Sequence, residues 1–219
     1  MKRLSAWSVL VFIVVAGCRG AGGVARPPVR ELDIQALLSD SRGQRVTVPL
    51  GTYVFKQGLV FECDDTTLWC EPGTWILVED VNASVLSIHE VKNARIENAH
   101  LSHVKPLEEY ECHGPVVDIG NAEGVVLFNC ELAGCGAVGV RAVGVKDLTV
   151  QNCLIRDNTF NAFYFDTCEQ VSLIANVIED NANLFQMYRV TDIQSSDNLI
   201  RNNGGYWREK DPEPGMKTK

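Results

Sequence analysis

Five side chains in the second half of the sequence have the types and the spacing to do chemistry together. Asp118 and Arg141 are 23 residues apart, Arg141 and Tyr164 another 23, and Asp166 and Tyr188 22. Carboxylate, guanidinium and phenol groups on one surface suit a sugar ring, which they can stack against and clamp through paired hydrogen bonds. The alternative is an ordinary solvated face, with Asp118 and Arg141 as a cross-strand ion pair and the tyrosines stacked on each other. Asp118, Arg141 and Asp166 are also the catalytic candidates, were this surface to act as a glycosidase or a polysaccharide lyase. The expected spacing disfavours both. Asp118 and Asp166 should stand roughly 12 Å apart at Cβ on strand spacings, whereas glycosidase carboxylates lie about 5–9.5 Å apart. Arg141 as a lyase base would need a lowered pKa, while the adjacent Asp118 stabilises its charge. No metal or cofactor is expected: the aspartates are too far apart to share a Ca²⁺ with ligands at about 2.4 Å, unless Glu108, Glu109 or Glu111 swings in. His89, His100, His103 and His113 lack metal-ligand spacing and are expected to be solvated.

A near-constant step calls for a repeating scaffold. Asn98, Asn129, Asn152, Asn176 and Asn198 close similar segments at intervals of 31, 23, 24 and 22 residues. Such a period signals a solenoid. Each segment holds short β-branched runs broken by Asn, Gly or Asp, with no helical periodicity. Three short strands and three turns per repeat give an all-β fold, a single-stranded right-handed parallel β-helix of about seven short coils. Leucine-rich repeats share the period, but their leucine frame is absent. Aligning the first strand of each coil gives two inward columns, Leu86, Val117, Val140, Phe163, Phe185 and Ile88, Ile119, Ala142, Phe165, Met187, all apolar. Between them Ser87, Asp118, Arg141, Tyr164, Gln186 and His89, Gly120, Val143, Asp166, Tyr188 must point outward. The five closing asparagines are expected to form a buried ladder that satisfies turn amides, with Asn158, Asn181 and Asn203 as a second.

Upstream, Leu32 to Ser39 has the spacing of a short amphipathic helix, suited to capping the open end of a solenoid. The stretches VPLGTYVF (residues 48–55) and TTLWCEPGTWIL (residues 66–77) follow. Together with the downstream repeat they resemble the opening and body of the pectate-lyase-like β-helix superfamily, over about residues 31–206. The resemblance implies the fold and leaves activity open, because that superfamily hosts lyases, hydrolases, esterases, epimerases and non-enzymes. The sequence carries no arginine-proline-arginine lyase signature and none of the paired-aspartate blocks of polygalacturonases; Asp64-Asp65 reads as a turn. The step of 31 exceeds the others by about eight residues, an insertion supplied by Val104 to His113 that enters directly before the strand Val116–Ile119. In the superfamily the corresponding turn overhangs the active cleft. A tolerated surface insertion is the alternative.

The remaining signals concern address and partners. Lys2 and Arg3 precede an apolar run from Val9 to Val15, so residues 1–17 read as a signal peptide. Val15-Ala16-Gly17-Cys18 resembles the bacterial lipobox, which would make Cys18 the lipidated first residue; an ordinary secretory signal ending near a cysteine is the alternative. Residues 18–30 then form a flexible tether, 31–206 the β-helix domain, and 207–219 a polar, disordered tail. Removing Lys2 and Arg3 leaves 18 basic residues against 28 acidic, a net charge near −10. That excludes nucleic acid as a partner, and leaves the lipid anchor as the only link to a membrane. Of the other cysteines, Cys112 is expected to pair with Cys135, Cys63 and Cys70 could close a local loop, and Cys130 and Cys153 should stack as thiols. No second capping helix follows the last repeat, so either Tyr206 and Trp207 fold across the last coil or another subunit covers that end, which leaves end-to-end self-association open. The reading is a bacterial cell-envelope lipoprotein, on the outer membrane or cell surface, that binds or modifies a carbohydrate. Its rival is a non-catalytic structural or adhesion scaffold.

Overall fold

A computed structural model describes residues 26–105, 113–134 and 137–204. The signal segment, Cys18, Cys112, Cys135, Glu108, Glu109, Glu111 and the tail 207–219 lie outside the described residues.

The chain winds as a parallel β-solenoid of about six turns, one fewer than the repeat count suggested, and its last described coil runs through Asn183–Tyr188, Thr191–Ser196 and Leu199–Arg201. One sheet stacks the first strand of each coil: Leu59–Phe61, Leu86–His89, Val117–Gly120, Val138–Val143, Asn161–Asp166 and Asn183–Tyr188. The second and third strands of the coils form a twelve-stranded sheet that wraps the other sides. Thr67–Val78 runs as one bent strand through Pro72-Gly73, with a register shift between Trp69 and Thr74, where two separate strands were expected.

The expected inward columns are in register. Val117 pairs with Val140, Val140 with Phe163 and Phe163 with Phe185, while Ile119, Ala142, Phe165 and Met187 align beside them. Leu86, Val117, Val140 and Phe163 are fully buried, as are Ile88, Ile119, Ala142 and Phe165. Burial of each large side chain is worth about 1.5–3 kcal/mol. Phe163 stacks on Phe185 at 5.3 Å, so aromatic contacts run along the axis as well as across the core.

Corners explain the periodic Asn and Asp. Each coil turns on single residues in the left-handed region: Asn98, Asn129, Asn152, Ala175 and Asp197 form one row, and Gly134, Asp157, Asp180 and Asn202 another. Asn and Asp tolerate that conformation better than other residues with a side chain. The first ladder is therefore displaced from its expected position. Asn98, Asn129 and Asn152 stand at the solvent-facing corner; the inward position is the next residue, giving the column Cys130, Cys153, Asn176, Asn198. There the Cys130 N–H donates to Cys153 Sγ at 3.4 Å, the Cys153 N–H to Asn176 Oδ1 at 2.9 Å, and the Asn176 N–H to Asn198 Oδ1 at 2.8 Å. The second ladder stands as expected: the Asn158 N–H donates to Asn181 Oδ1 and the Asn181 N–H to Asn203 Oδ1, each at 3.1 Å.

Cys63 and Cys70 are both free, so no local bridge forms. Cys70 faces the core, fully buried and paired in register with Val48, whereas the Cys63 thiol turns to the carbonyl of Ser39. Burial pushes the Cys70 thiol well up from its ordinary pKa.

The two ends differ. The helix Ile34–Ser39, capped by the Asp33 side chain, covers the first coil with Ile34 and Leu38 fully buried. Just before it, at the end of the expected tether, Arg30 N–H donates to the Thr52 carbonyl and Thr52 N–H to that of Pro28. At the other end Leu199 and Ile200 are 50% and 46% exposed, and no described residue covers them.

Candidate functional site

The outer face of the six-stranded sheet carries the residues singled out by spacing. Asp118, Arg141, Tyr164 and Gln186 are direct register partners on successive strands, as are Val143, Asp166 and Tyr188 beside them. Asp118 is the hub. Its Oδ1 takes Arg141 Nη1 at 2.7 Å and its Oδ2 faces His89 Nε2 at 3.1 Å. The Arg141 guanidinium lies 5.8 Å from the centre of the Tyr164 ring, and Tyr164 and Tyr188 tilt together at 5.8 Å. Tyr188 is braced in turn by Gln186 Nε2, and Gln186 Oε1 accepts from Asn161 Nδ2 at 3.1 Å. Asp166 binds Arg189 Nη2 at 2.5 Å and accepts from the Thr167 hydroxyl at 2.9 Å.

The row holds each charged group in a fixed position. Arg141 is 41% exposed and clamped by Asp118, which itself is only 15% exposed, so the guanidinium edge is presented without the usual rotamer freedom. Asp118 and Asp166 stand on strands separated by Val138–Val143 and are each engaged by their own cations. The arrangement can recognise a ligand by stacking and hydrogen bonds; it does not form a facing carboxylate pair.

A second cluster escaped the sequence reading. It lies on the third strands, where Trp75, His100 and Glu131 occupy one outward column. His100 stacks on Trp75 with centroids 3.4 Å apart and planes at 20°, and Arg26 lies 4.7 Å from the ring centre of Trp75. Glu131 Oε2 takes His100 Nδ1 at 2.7 Å, and its Oε1 takes Arg156 Nη2 at 2.5 Å and Nε at 2.8 Å. Burial alone would raise the Glu131 carboxyl; the His100 hydrogen bond and the Arg156 charge outweigh it and hold the group below the usual carboxylate range. The same pair lifts Arg156 above its ordinary value against the effect of burial. Arg26, Trp75, His100 and Arg156 border an open groove of about 850 Å³ that continues past Gly134, Asp157 and Asp180 to Asn202.

The histidines also depart from expectation. His89 and His113 are exposed, but the His100 side chain is only 11% exposed and His103 is fully buried. His103 Nε2 donates to the Ala83 carbonyl at 2.9 Å, and burial lowers its pKa, so it is held neutral at the base of the inserted segment. Among the described residues no three His, Cys, Asp or Glu side chains come together as metal ligands. No helix among them is long and apolar enough to cross a membrane.

Fold and face together define a parallel β-solenoid with a row of polar and aromatic side chains on the outer face of its first sheet. More narrowly, the chain belongs to the right-handed β-helix family, whose model, described as a right-handed beta helix region, matches residues 77–208. A family 28 exopolygalacturonase from Yersinia enterocolitica superposes with a TM-score of 0.56 at 13% identity, over 80% of this chain and 50% of that one. ORF18 of Geobacillus virus E2 gives 0.52 at 19% identity, over 77% of this chain and 35% of that one. The chain thus spans half or less of the length of these two structures, and the likeness shows the fold alone. No curated protein matches the sequence.

Proposed function

We propose that this chain is a carbohydrate-binding β-helix of the bacterial cell envelope that works by recognition, without bond cleavage. One observation supports this above the others: Asp118, Arg141, Tyr164 and Tyr188 form a continuous row in which an arginine is fixed between a carboxylate and an aromatic ring. Fixed guanidinium and phenol groups bind a sugar at low entropic cost. The acids of the row are already paired, which suits binding better than proton transfer. The same self-pairing favours the rival reading of a scaffold or adhesion module, in which the face is stabilised for its own sake.

A glycan array followed by calorimetry on the full chain separates the two. Tyr164→Ala and Arg141→Ala should each weaken sugar binding by roughly five- to 150-fold, the equivalent of about 1–3 kcal/mol. Both side chains point away from the core, so urea midpoints should barely move. A well-folded parent that binds no sugar at millimolar concentration leaves only the scaffold. The envelope address rests on the sequence Val15-Ala16-Gly17-Cys18. Palmitate labelling in a bacterial host should vanish in Cys18→Ser; label that persists removes the anchor.

A further inference from the structure

We infer that the capped end of the solenoid, residues 26–60, docks on an anionic lipid surface, so that the molecule stands end-on with its acidic body directed away from the bilayer. The inference rests on the envelope reading only for the presence of that bilayer. It adds a second contact to the anchor, one that the net charge of the whole chain conceals.

Two pieces build this end. Val29 bridges to Thr52 along one edge of the strand Thr52–Phe55, whose opposite edge pairs with Trp75–Val78. Beside it the helix Ile34–Ser39 closes the outer edge of Leu59–Phe61: Gln35 Nε2 donates to the Val60 carbonyl at 3.1 Å and the Val60 N–H to Gln35 Oε1 at 2.8 Å. A second copy therefore finds no open edge to pair with at either strand. What this end still presents is apolar side chains. Val29 is 72% exposed and Leu37, on the helix, 43%, with Leu50, Val54 and Val60 exposed around the rim. From residue 61 to residue 198 no described large apolar side chain is exposed. Single exposed apolar residues need no explanation, but a set confined to one end of a molecule marks a contact.

Charge identifies the partner. Residues 26–60 carry five basic side chains, all exposed, against the acids Glu31, Asp33 and Asp40, whereas residues 61–204 carry eight basic against 22 acidic. Arg42 is tied to Asp64 at 2.9 Å, and Asp33 is used as the helix cap. Arg26, Arg30, Arg45 and Lys56 are left to meet an anion, Arg26 and Arg45 held over the rings of Trp75 and Trp69. A basic end with apolar side chains suits anionic headgroups and the apolar boundary beneath them. The acidic body is repelled by the same surface, so attraction and repulsion favour one orientation. The other exposed apolar pair, Leu199 and Ile200, shares its coil with Asp192 and Asp197, and the arginines there, Arg189 and Arg201, are paired with Asp166 and Glu179. Cys18 precedes Arg26 by eight residues, a reach of at most about 29 Å, so an anchor there holds the capped end near the lipid.

The test places the full chain, as a bacterial host delivers it, in vesicles of phosphatidylcholine alone and in vesicles with about a quarter phosphatidylglycerol. Hydrogen exchange in peptides covering residues 26–42 should be at least about threefold slower in the anionic vesicles, with no change over residues 183–204. Any anchor is the same in both, so the difference reports docking. Salt at about 0.5 M should erase it. Arg30→Glu combined with Lys56→Glu should abolish the difference, while Lys146→Glu, on the acidic body, should leave it intact. Lys56→Glu alone, at an exposed side chain, should remove about half and keeps the test available should the double variant fold poorly. Equal exchange in the two kinds of vesicle, or protection at residues 183–204 instead, overturns the inference. So does protection that grows with protein concentration and ignores the lipid, which would make a second copy the occupant. Palmitate on a chain without protection keeps the anchor and removes the docking; protection of a chain that takes no palmitate removes the anchor and keeps the docking.

Discussion

Asn152 and Asn176 lie in matching stretches of neighbouring coils, yet they do opposite jobs. Asn152 sits at an exposed corner with φ of 54°, where its value is that its backbone turns left at little cost. Asn176 is 1% exposed: its Oδ1 accepts the Cys153 N–H and its Nδ2 donates to the Val150 carbonyl at 2.8 Å. The true counterpart of Asn152 one coil on is Ala175, with φ of 53°. In this solenoid the inward positions hold the stack by hydrogen bonding and packing, whereas the corner positions turn the chain and add a side-chain bond between coils only at Asn98 and Asn129 among those of this row.

That contrast can be broken most directly at the inward site. Asn176→Ala strands two backbone partners in the middle of the stack and should cost about 1–3 kcal/mol, read as a fall in the urea midpoint. An unchanged midpoint would remove the distinction. Next comes an outward residue that is sheltered. Glu131→Gln should lose about 1–2 kcal/mol at pH 7, because charge-assisted hydrogen bonds from His100 and Arg156 weaken. The Glu131 carboxyl is held below its ordinary pKa, so its contribution is complete at neutral pH and fades as pH falls through its depressed folded value. The parent should therefore lose more stability than Glu131→Gln between pH 6 and pH 3; parallel pH profiles would count against it. At the corner, Asn152→Ala should cost about 1 kcal/mol, and Asn152→Gly should recover most of it, which isolates backbone strain from side-chain bonding. The smallest effect is a gain. Ala175→Gly should raise stability by about 0.5 kcal/mol by relieving an alanine in the left-handed region.

The first-strand columns were legible in the sequence because two periods coincide there, alternation along a strand and the coil step of 22–24 residues. Asp118, Arg141, Tyr164, Asp166 and Tyr188 accordingly share one face, as their spacing required. The ladder was misplaced by one residue because corner and inward positions are adjacent and both favour asparagine, for different reasons. Ala175 hid the shift, since the asparagine of that coil is the inward one. The groove cluster was missed because His100 and Glu131 are 31 residues apart and the insertion between them breaks the count. Their pairing depends on register in the third strands, which are only three residues long in most coils and carry little alternation of their own. Trp75, His100 and Glu131 aligned by eye would have been the only signal.

The corners also make length a countable property of this molecule. The Asn161 N–H already donates to the Ala137 carbonyl at 2.7 Å, so the start and end of one full coil are neighbours in space. Excising residues 138–160 would join positions that already touch, and coil on coil would meet in the same register with the groove shortened by the corner at Asp157. A gene built this way can shorten or extend its surface in whole coils through in-frame loss or duplication of about 70 nucleotides, three for each residue of a repeat of 22–24. The length of the solenoid's surface is then set by copy number, separately from the side chains that any single coil carries.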